Sequence, residues 1–421
     1  MRFSILSPFA LFLFVPYHSY AQYFKTITPP EHIKTVKLIK WADNSFTPIV
    51  EKGDSLVLSF DDLTGALKDY RYTIVRYTHD WRESNLFQSE YLSGLRTAYI
   101  QARGQSQQTQ VNYQHYKVVF PNSEMRIRLS GNYGIRVFLQ DIDKPIIERR
   151  FCVYEEGSDI ELNAGQRTTG NALTQQQLSA KAVVKPYLDL SRNSRQVYAY
   201  AFQNSNWNTL KGAINPRFIH QNTLDYSLSK KLRFPGGSEF RSFDTKSLIS
   251  GGISISKLRD IDGIAHTYLK ADIPRNGRAY SFFGDIDGAF VIRNVERLDE
   301  YNAARNADYT WVHFSLNTFN PLLKKDIYVV GAFSDWQLTR ENKMHFNRAA
   351  RRYESAILLK QGFYNYAYAI RDRVSGVVRY AAVDGSHWQT ENEYHFLLYI
   401  RLWNERFDRL IGTAHANSVN R

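Results

Sequence analysis

The stretch YRYTIVRY, residues 70–77, decides the fold class. Read with a period of two, Tyr72 and Ile74 share one face with Arg76 in register, and Tyr77 lies on the other. That is the alternation of a β-strand, not the three-and-four spacing of a helix. Working outward, the same alternation returns at 34–41, at 55–60 (SLVLSF), at 115–120 (HYKVVF), and at 125–129, 134–140 and 146–153. Turn residues punctuate these runs: Asn44 and Ser45, Lys52-Gly53-Asp54, Leu63-Thr64-Gly65, Pro121-Asn122, and the 130–133 turn. Short strands at this spacing predict an antiparallel sandwich of immunoglobulin type, with Trp81, Tyr133, Val137 and Phe151 inside it.

The rest of the chain repeats the style. With 421 residues it is too long for one sandwich, and its 28 Tyr and 26 Phe against 3 Met suit half-buried pleated surfaces. Residues 158–178 are rich in Gly, Asn, Thr and Gln and read as a linker, which puts a domain boundary near 155–157. Beyond it, strands are expected at 196–202 and 281–291, flanking the turn Phe234-Pro235-Gly236-Gly237. A third block opens with YTWVHFSL at 309–316 and continues through 327–330, 354–359, 364–369 and 394–402. The strongest helical stretch, 298–306, is short. The expectation is an all-β protein of tandem immunoglobulin-like or early-set β-sandwiches, divided at 22–156, 157–307 and 308–421.

Residues 1–21 read as an export signal. Met1 and Arg2 give a basic start, residues 3–15 are apolar, and Ser19 and Ala21 provide the small residues of a cleavage site before Gln22. No later apolar run reaches the ~18 residues of a membrane helix. The mature product is expected to be an exported soluble protein. A single cysteine, Cys152, excludes a disulfide framework, a cysteine zinc site and a CxxC redox pair. The net charge of +13 favours anionic partners without choosing among them.

Chemistry is sparse. His79 and Asp80 are neighbours, but adjacent strand residues point to opposite faces and no nucleophile accompanies them. His115 reads as a half-buried strand histidine. Asp61 and Asp62, Asp141 and Asp143, and Asp285 with Asp287 are acidic pairs without the ligand series of a calcium loop, and all three read as solvated turns. The glycines at 236–237 and 251–252 precede no Gly-Lys-Ser/Thr, so neither is a phosphate loop. No metal, cofactor or catalytic residue is expected.

Gly331-Ala-Phe-Ser-Asp-Trp336, behind the apolar run 327–330, resembles the early-set sandwich of glycogen- and starch-binding modules, where a strand leads into G-x-F-x-x-W. By that resemblance Gly331 permits close backbone passage, and Phe333 and Trp336 pack the sandwich edge. The segment 369–376 is charged where the sugar-binding members stack a tryptophan, leaving Trp388 as the candidate platform. The alternative reading is therefore an exported carbohydrate-binding accessory protein.

A wider likeness covers 27–412. Its motifs, in order, are Tyr70-Arg71-Tyr72, His79-Asp80-Trp81, Glu90 to Gly94, Tyr113 to Tyr116, Leu129 to Tyr133, the arginines before Phe151, Phe234 to Arg241, Asp308-Tyr309, Gly331 to Trp336, and Arg406 to Ile411. Together they resemble the plug protein family of the type IX secretion system. The resemblance implies a non-enzymatic periplasmic plug. Its partner would be the outer-membrane β-barrel translocon, whose periplasmic opening it would close, with no nucleic acid or small-molecule substrate. It transfers no binding residues. His79, Trp81, Tyr133, Gly236, Gly237, Arg241, Gly331, Phe333 and Trp336 carry the motifs as structural positions.

Overall fold

The computed structural model describes residues 24, 26–167, 170–227, 229–296, 302–318 and 320–419. The expected signal at 1–21 and the cleavage position at Gln22 lie outside them. Strands make up 48% of the structure and helices 6%, so the all-β expectation holds.

The first sandwich pairs Ile33–Lys40, Leu56–Asp62, Gln114–Phe120 and Ala102–Gln105 in one sheet. The other sheet orders Ile49–Glu51, Ile147–Tyr154, Gly131–Phe138, Arg71–Tyr77 and Ala98–Tyr99. Leu58, Phe60, Tyr72, Ile74, Tyr133, Val137 and Phe151 fill the space between them. Trp81 is buried as well, but in a different cluster. Arg71–Tyr77 is covered on both faces: Tyr72 and Ile74 enter the core, while Val75 and Tyr77 face a neighbouring sandwich.

That neighbour begins where a linker was expected. Ser158–Gln166 and Gln175–Val184 form a long antiparallel hairpin, with Ser158 opposite Val184 and Gln166 opposite Gln176. Ile160, Leu162 and Ala164 turn inward on alternate positions, and Leu178, Ala180, Ala182 and Val184 answer them. Small and amide residues between these positions hide the period of two, which is why the segment reads as loop.

The division at 307/308 is also redrawn. Glu393–Ile400 and Arg409–Asn417, near the end of the chain, join Val197–Gln203 and Asn206–Ile214 to make the second sheet of the second sandwich. Tyr394, Phe396, Leu398 and Ile400 enter its core. Between them the chain leaves to build the third sandwich. One of its sheets centres on Gly362–Asp372 and includes Arg241–Asp244, Phe290–Ile292 and Lys325–Val330. The other runs from Ile255–Ile261 through Ile264–Leu269 and Tyr309–Asn317 to Arg352–Lys360 and His345–Asn347. The third sandwich is thus an insertion in the second. Strand alternation marks each strand but carries no information on which distant strand it pairs with. In the helical candidate, Ala303–Asn306 makes a single turn, and 298–301 fall outside the described residues.

Candidate functional site: the junctions between sandwiches

Several motif residues meet at the seams between sandwiches. At the first seam the His79 ring stacks on Tyr198 with centroids 3.7 Å apart, and its Nδ1 lies 2.6 Å from the Tyr200 hydroxyl. The His79 backbone N–H donates to Asp408 Oδ2 at 2.9 Å. Burial holds the imidazole below its ordinary pKa, so it is neutral at pH 7. Trp81, at φ 63°, packs edge-on against Trp207 at 5.3 Å. The Arg150 guanidinium sits 5.4 Å from the Trp81 ring and 5.2 Å from Trp207, and burial pushes its pKa down to about 10. Arg76 donates to the carbonyls of Ser130 at 2.7 Å and Asp408 at 2.6 Å. Cys152 is buried here too, its thiol pushed up to about 12 by burial, which makes it an inert packing residue. Tyr133 sits deeper in the first core, where its hydroxyl donates to the Leu129 carbonyl at 2.6 Å.

The seam between first and third sandwiches is polar and closed. Asp61 and Asp62 are buried in the strand Leu56–Asp62, which corrects their reading as a solvated turn. Lys360 Nζ donates to Asp61 Oδ2 at 2.5 Å, and the Tyr309 hydroxyl donates to the same oxygen at 2.8 Å. His115 Nδ1 is 2.6 Å from the other carboxylate oxygen. The Lys360 ammonium lies 4.0 Å from the Tyr113 ring centroid, and the Tyr113 hydroxyl donates to the Ala307 carbonyl at 2.8 Å. Burial alone would raise the Asp61 pKa, but Lys360 and His115 outweigh it and hold the group below the ordinary value. Sequence reasoning missed Lys360. The available signal was Asp61 on the face opposite Leu58 and Phe60, a charge with no water to meet once both faces are covered.

At the third seam Gly236 lies so close to the 387–388 backbone that an added Cβ would stand 1.9 Å from the His387 carbonyl oxygen. Gly237, at φ 68°, accepts from His387 N–H and Thr390 Oγ1, each at 2.8 Å. Arg241 is clamped by Asp384 at 2.6 Å and Asp272 at 2.5 Å. Gly331 is extended and packs against the Asn365 carbonyl oxygen, 2.7 Å from where its Cβ would be. Phe333 is half-buried beside Tyr364, 6.0 Å between centroids. Trp336 is 4% exposed, wedged between Phe240 and Tyr380, and its carbonyl accepts from Asn208 Nδ2 at 2.9 Å.

Beside it stands a group of acids. Glu239 is buried and bonded by the Tyr280 hydroxyl, and Asp285 Oδ2 accepts from the Phe240 N–H at 2.6 Å. Asp287 is half-buried, and its Oδ1 has no hydrogen-bond partner. Burial first, then Asp285, Glu393, Glu391 and Glu239, push its pKa up to about 7. The solvated-turn reading of Asp285 and Asp287 is therefore corrected.

None of these arrangements assembles the chemistry considered from sequence. Asp80 accepts from the Thr78 hydroxyl at 2.5 Å and pairs with Arg82 at 3.0 Å, leaving His79 to Tyr200. Among the described residues no group of three His, Cys, Asp or Glu is placed to hold a metal ion. His79, Trp81, Gly236, Gly237 and Trp336 pack at the seams, whereas Tyr133, Arg241, Gly331 and Phe333 brace single sandwiches from within.

No curated protein matches the sequence. The crystal structure of a hypothetical protein from Parabacteroides merdae ATCC 43184 superposes with a TM-score of 0.88 at 28% identity, covering 94% of this chain and all of that one. Trypsin-activated α2-macroglobulin from Escherichia coli also matches, at 10% identity over 95% of this chain and 16% of its own; its TM-score of 0.21 carries no argument. The model of the type 9 secretion system plug protein 1st domain matches residues 33–155, the first sandwich described above. That match assigns residues 33–155 to the type 9 secretion system plug protein 1st domain.

Proposed function

We propose that this protein is a periplasmic plug that binds the outer-membrane translocon of type IX secretion and closes its periplasmic opening. The observation that carries the reading is the plug first domain at 33–155. The structure adds physical support. A stopper for a wide pore must be a stiff folded body, and three sandwiches joined through buried aromatic and ionic seams meet that requirement. Among the described residues no helix is long and apolar enough to cross a membrane, so attachment would run through protein contact. The net charge of +13 favours an acidic rim on the partner and an association weakened by salt. Trp336 is 4% exposed and offers no ring face to a sugar, so the carbohydrate-binding alternative rests on Trp388, which is half-buried.

The test is a deletion strain. Loss of the protein should increase uptake of a large dye or antibiotic whenever the translocon is present, and tagged protein should co-purify with the translocon at low salt. Normal permeability together with no co-purification would refute the proposal.

A further inference from the structure

The far end of the third sandwich is a basic tip that carries exposed aliphatic residues. Asn317 ends one strand and Lys325 begins the next, Asn347 and Arg352 bound a hairpin, and Asp372 ends the long strand Gly362–Asp372. The pairing of Asn317 with Arg352, and of Lys325 with Asp372, puts all three turns at one end. Lys360, at the other end of Arg352–Lys360, is held in the seam with the first sandwich. At ~3.3 Å per residue that strand keeps the tip ~26 Å from the seam.

Positive charge is concentrated there. Segments 322–326, 343–354 and 371–377 hold eight lysines and arginines against three carboxylates, a net +5 of the chain's +13. The carboxylates are already engaged: Asp326 by Lys343 and Arg373, Glu354 by Arg352, and Asp372 Oδ1 by the N–H groups of Val374 and Ser375. The side chains of Lys324, Lys325, Arg348 and Arg351 make no ion pair among the described residues. Set among these cations, Leu323 is 83% and Val374 77% exposed. Both stand on braced turns. Arg373 N–H donates to the Lys324 carbonyl at 2.9 Å, and Leu322 N–H donates to the Tyr353 hydroxyl at 2.8 Å.

Unpaired cations and exposed aliphatics call for different surroundings, anions and hydrocarbon, and an anionic bilayer surface supplies the two side by side. A soluble polyanion would leave Leu323 and Val374 in water. A protein partner suits the tip less, because the centres of protein interfaces are depleted in lysine, and lysine is what borders Leu323 here.

We propose that this tip docks on an anionic phospholipid surface, with Leu323 and Val374 entering the boundary between headgroups and acyl chains and the four unpaired cations lying against lipid phosphates. Two aliphatic side chains and four cations make a peripheral, reversible contact. On the plug reading it adds a lipid contact to the protein contact proposed above, but it does not depend on that reading.

The test is flotation of the full-length protein with vesicles of phosphatidylcholine alone and of phosphatidylcholine mixed with phosphatidylglycerol. Binding is expected on the mixed vesicles only, and it should fall as salt is raised. Lys324→Glu with Lys325→Glu should weaken it more than about tenfold, and Leu323→Ser with Val374→Ser about tenfold. Both double variants should melt like the parent, since these side chains lie outside the core. Insertion is read separately. Cys152 is buried, so Leu323→Cys can be labelled alone with an environment-sensitive dye, whose emission should rise on the mixed vesicles. The same label at Ile249→Cys, a site 84% exposed whose N–H bonds Glu296 and which lies toward the Gly362 end of the sandwich, should not respond. Equal flotation on neutral vesicles, flotation indifferent to the lysine reversals, or an equal dye response at 249 would each overturn the proposal. No flotation of the parent also overturns it, and loss of translocon co-purification in the lysine variants would then make the tip a protein contact.

Discussion

Asp287→Asn should stabilise the protein, and only above mild acid. Asp287 adopts φ 52°, a left-handed conformation that asparagine accepts as readily as aspartate. Its Oδ1 is buried without a partner, and Asp285, Glu239, Glu391 and Glu393 surround it with like charge. The folded state therefore raises its pKa from 3.8 to about 7. A raised acid favours the folded state while protonated; that contribution is present below pH 3.8 and is lost as pH rises through about 7. The separation between the two values corresponds to about 4 kcal/mol at ~1.4 kcal/mol per pH unit. With screening by the solvent that still reaches the group, a gain of about 2–4 kcal/mol is expected for the variant at pH 8. Urea unfolding of both proteins from pH 4 to pH 8.5 gives the difference curve directly. It should be near zero at pH 4, rise through pH 5–7 and level off above. A difference that does not change with pH, or a variant weaker than wild type at pH 8, would refute the electrostatic account of this corner.

The opposite sign holds at the first–third seam. Asp61 has its pKa depressed by Lys360 and His115, so its contribution is present at neutral pH and is lost as pH falls into the acid range below its unfolded value. Lys360→Met should cost about 3–5 kcal/mol by leaving that carboxylate buried without its ammonium partner, and Asp61→Leu in the same chain should recover much of the loss; urea melts of the single and double variants check both. Trp336→Ala should cost about 3–5 kcal/mol as a large buried aromatic, measured by the same melts, with no change in affinity for maltohexaose. Unchanged stability there would return Trp336 to the surface.

Much of the first sandwich was legible because its strands obey a clean alternation and its turns carry Gly, Asn and Pro at the right places. Of the expected interior residues, Tyr133, Val137 and Phe151 fall in this core, and Trp81 is buried in the neighbouring cluster. The hairpin at 158–184 was not legible, since alanine, serine and glutamine blur the contrast on which the period depends. Nor was the insertion of the third sandwich. Glu393–Ile400 reads as a buried strand from any context; only the fit of Tyr394 beside Phe234, and of Leu397 and Tyr399 against the first sandwich, decides where it docks. The motif residues were recognisable, but their roles were not: Arg241 needs Asp272 and Asp384, which lie 31 and 143 residues away in the chain.

The insertion has a mechanical consequence for a plug. A domain inserted through two crossings usually hinges where both strands of chain leave the parent, because such linkers are exposed and make few contacts. Here the outgoing and returning segments are fastened to each other. Gly237 N–H donates to Ser386 Oγ at 3.1 Å, its carbonyl accepts from His387 and Thr390, and Asn392 Nδ2 donates to the Gly236 carbonyl at 2.7 Å. Glu391 N–H reaches Glu239 Oε1 at 3.2 Å, continuing the same fastening toward the third sandwich. A hinge at this place would have to break these bonds together and expose the buried Asn392 amide, which costs more than thermal motion supplies on the timescale of loop opening. On the plug reading, the stopper should leave the pore as one body and not by folding open. Limited proteolysis of the free protein checks this: cutting should spare 236–240 and 385–392 at protease levels that trim exposed loops. Early cleavage within either segment would mean that the second and third sandwiches swing apart, and release by hinge opening would take the place of release by whole-body dissociation.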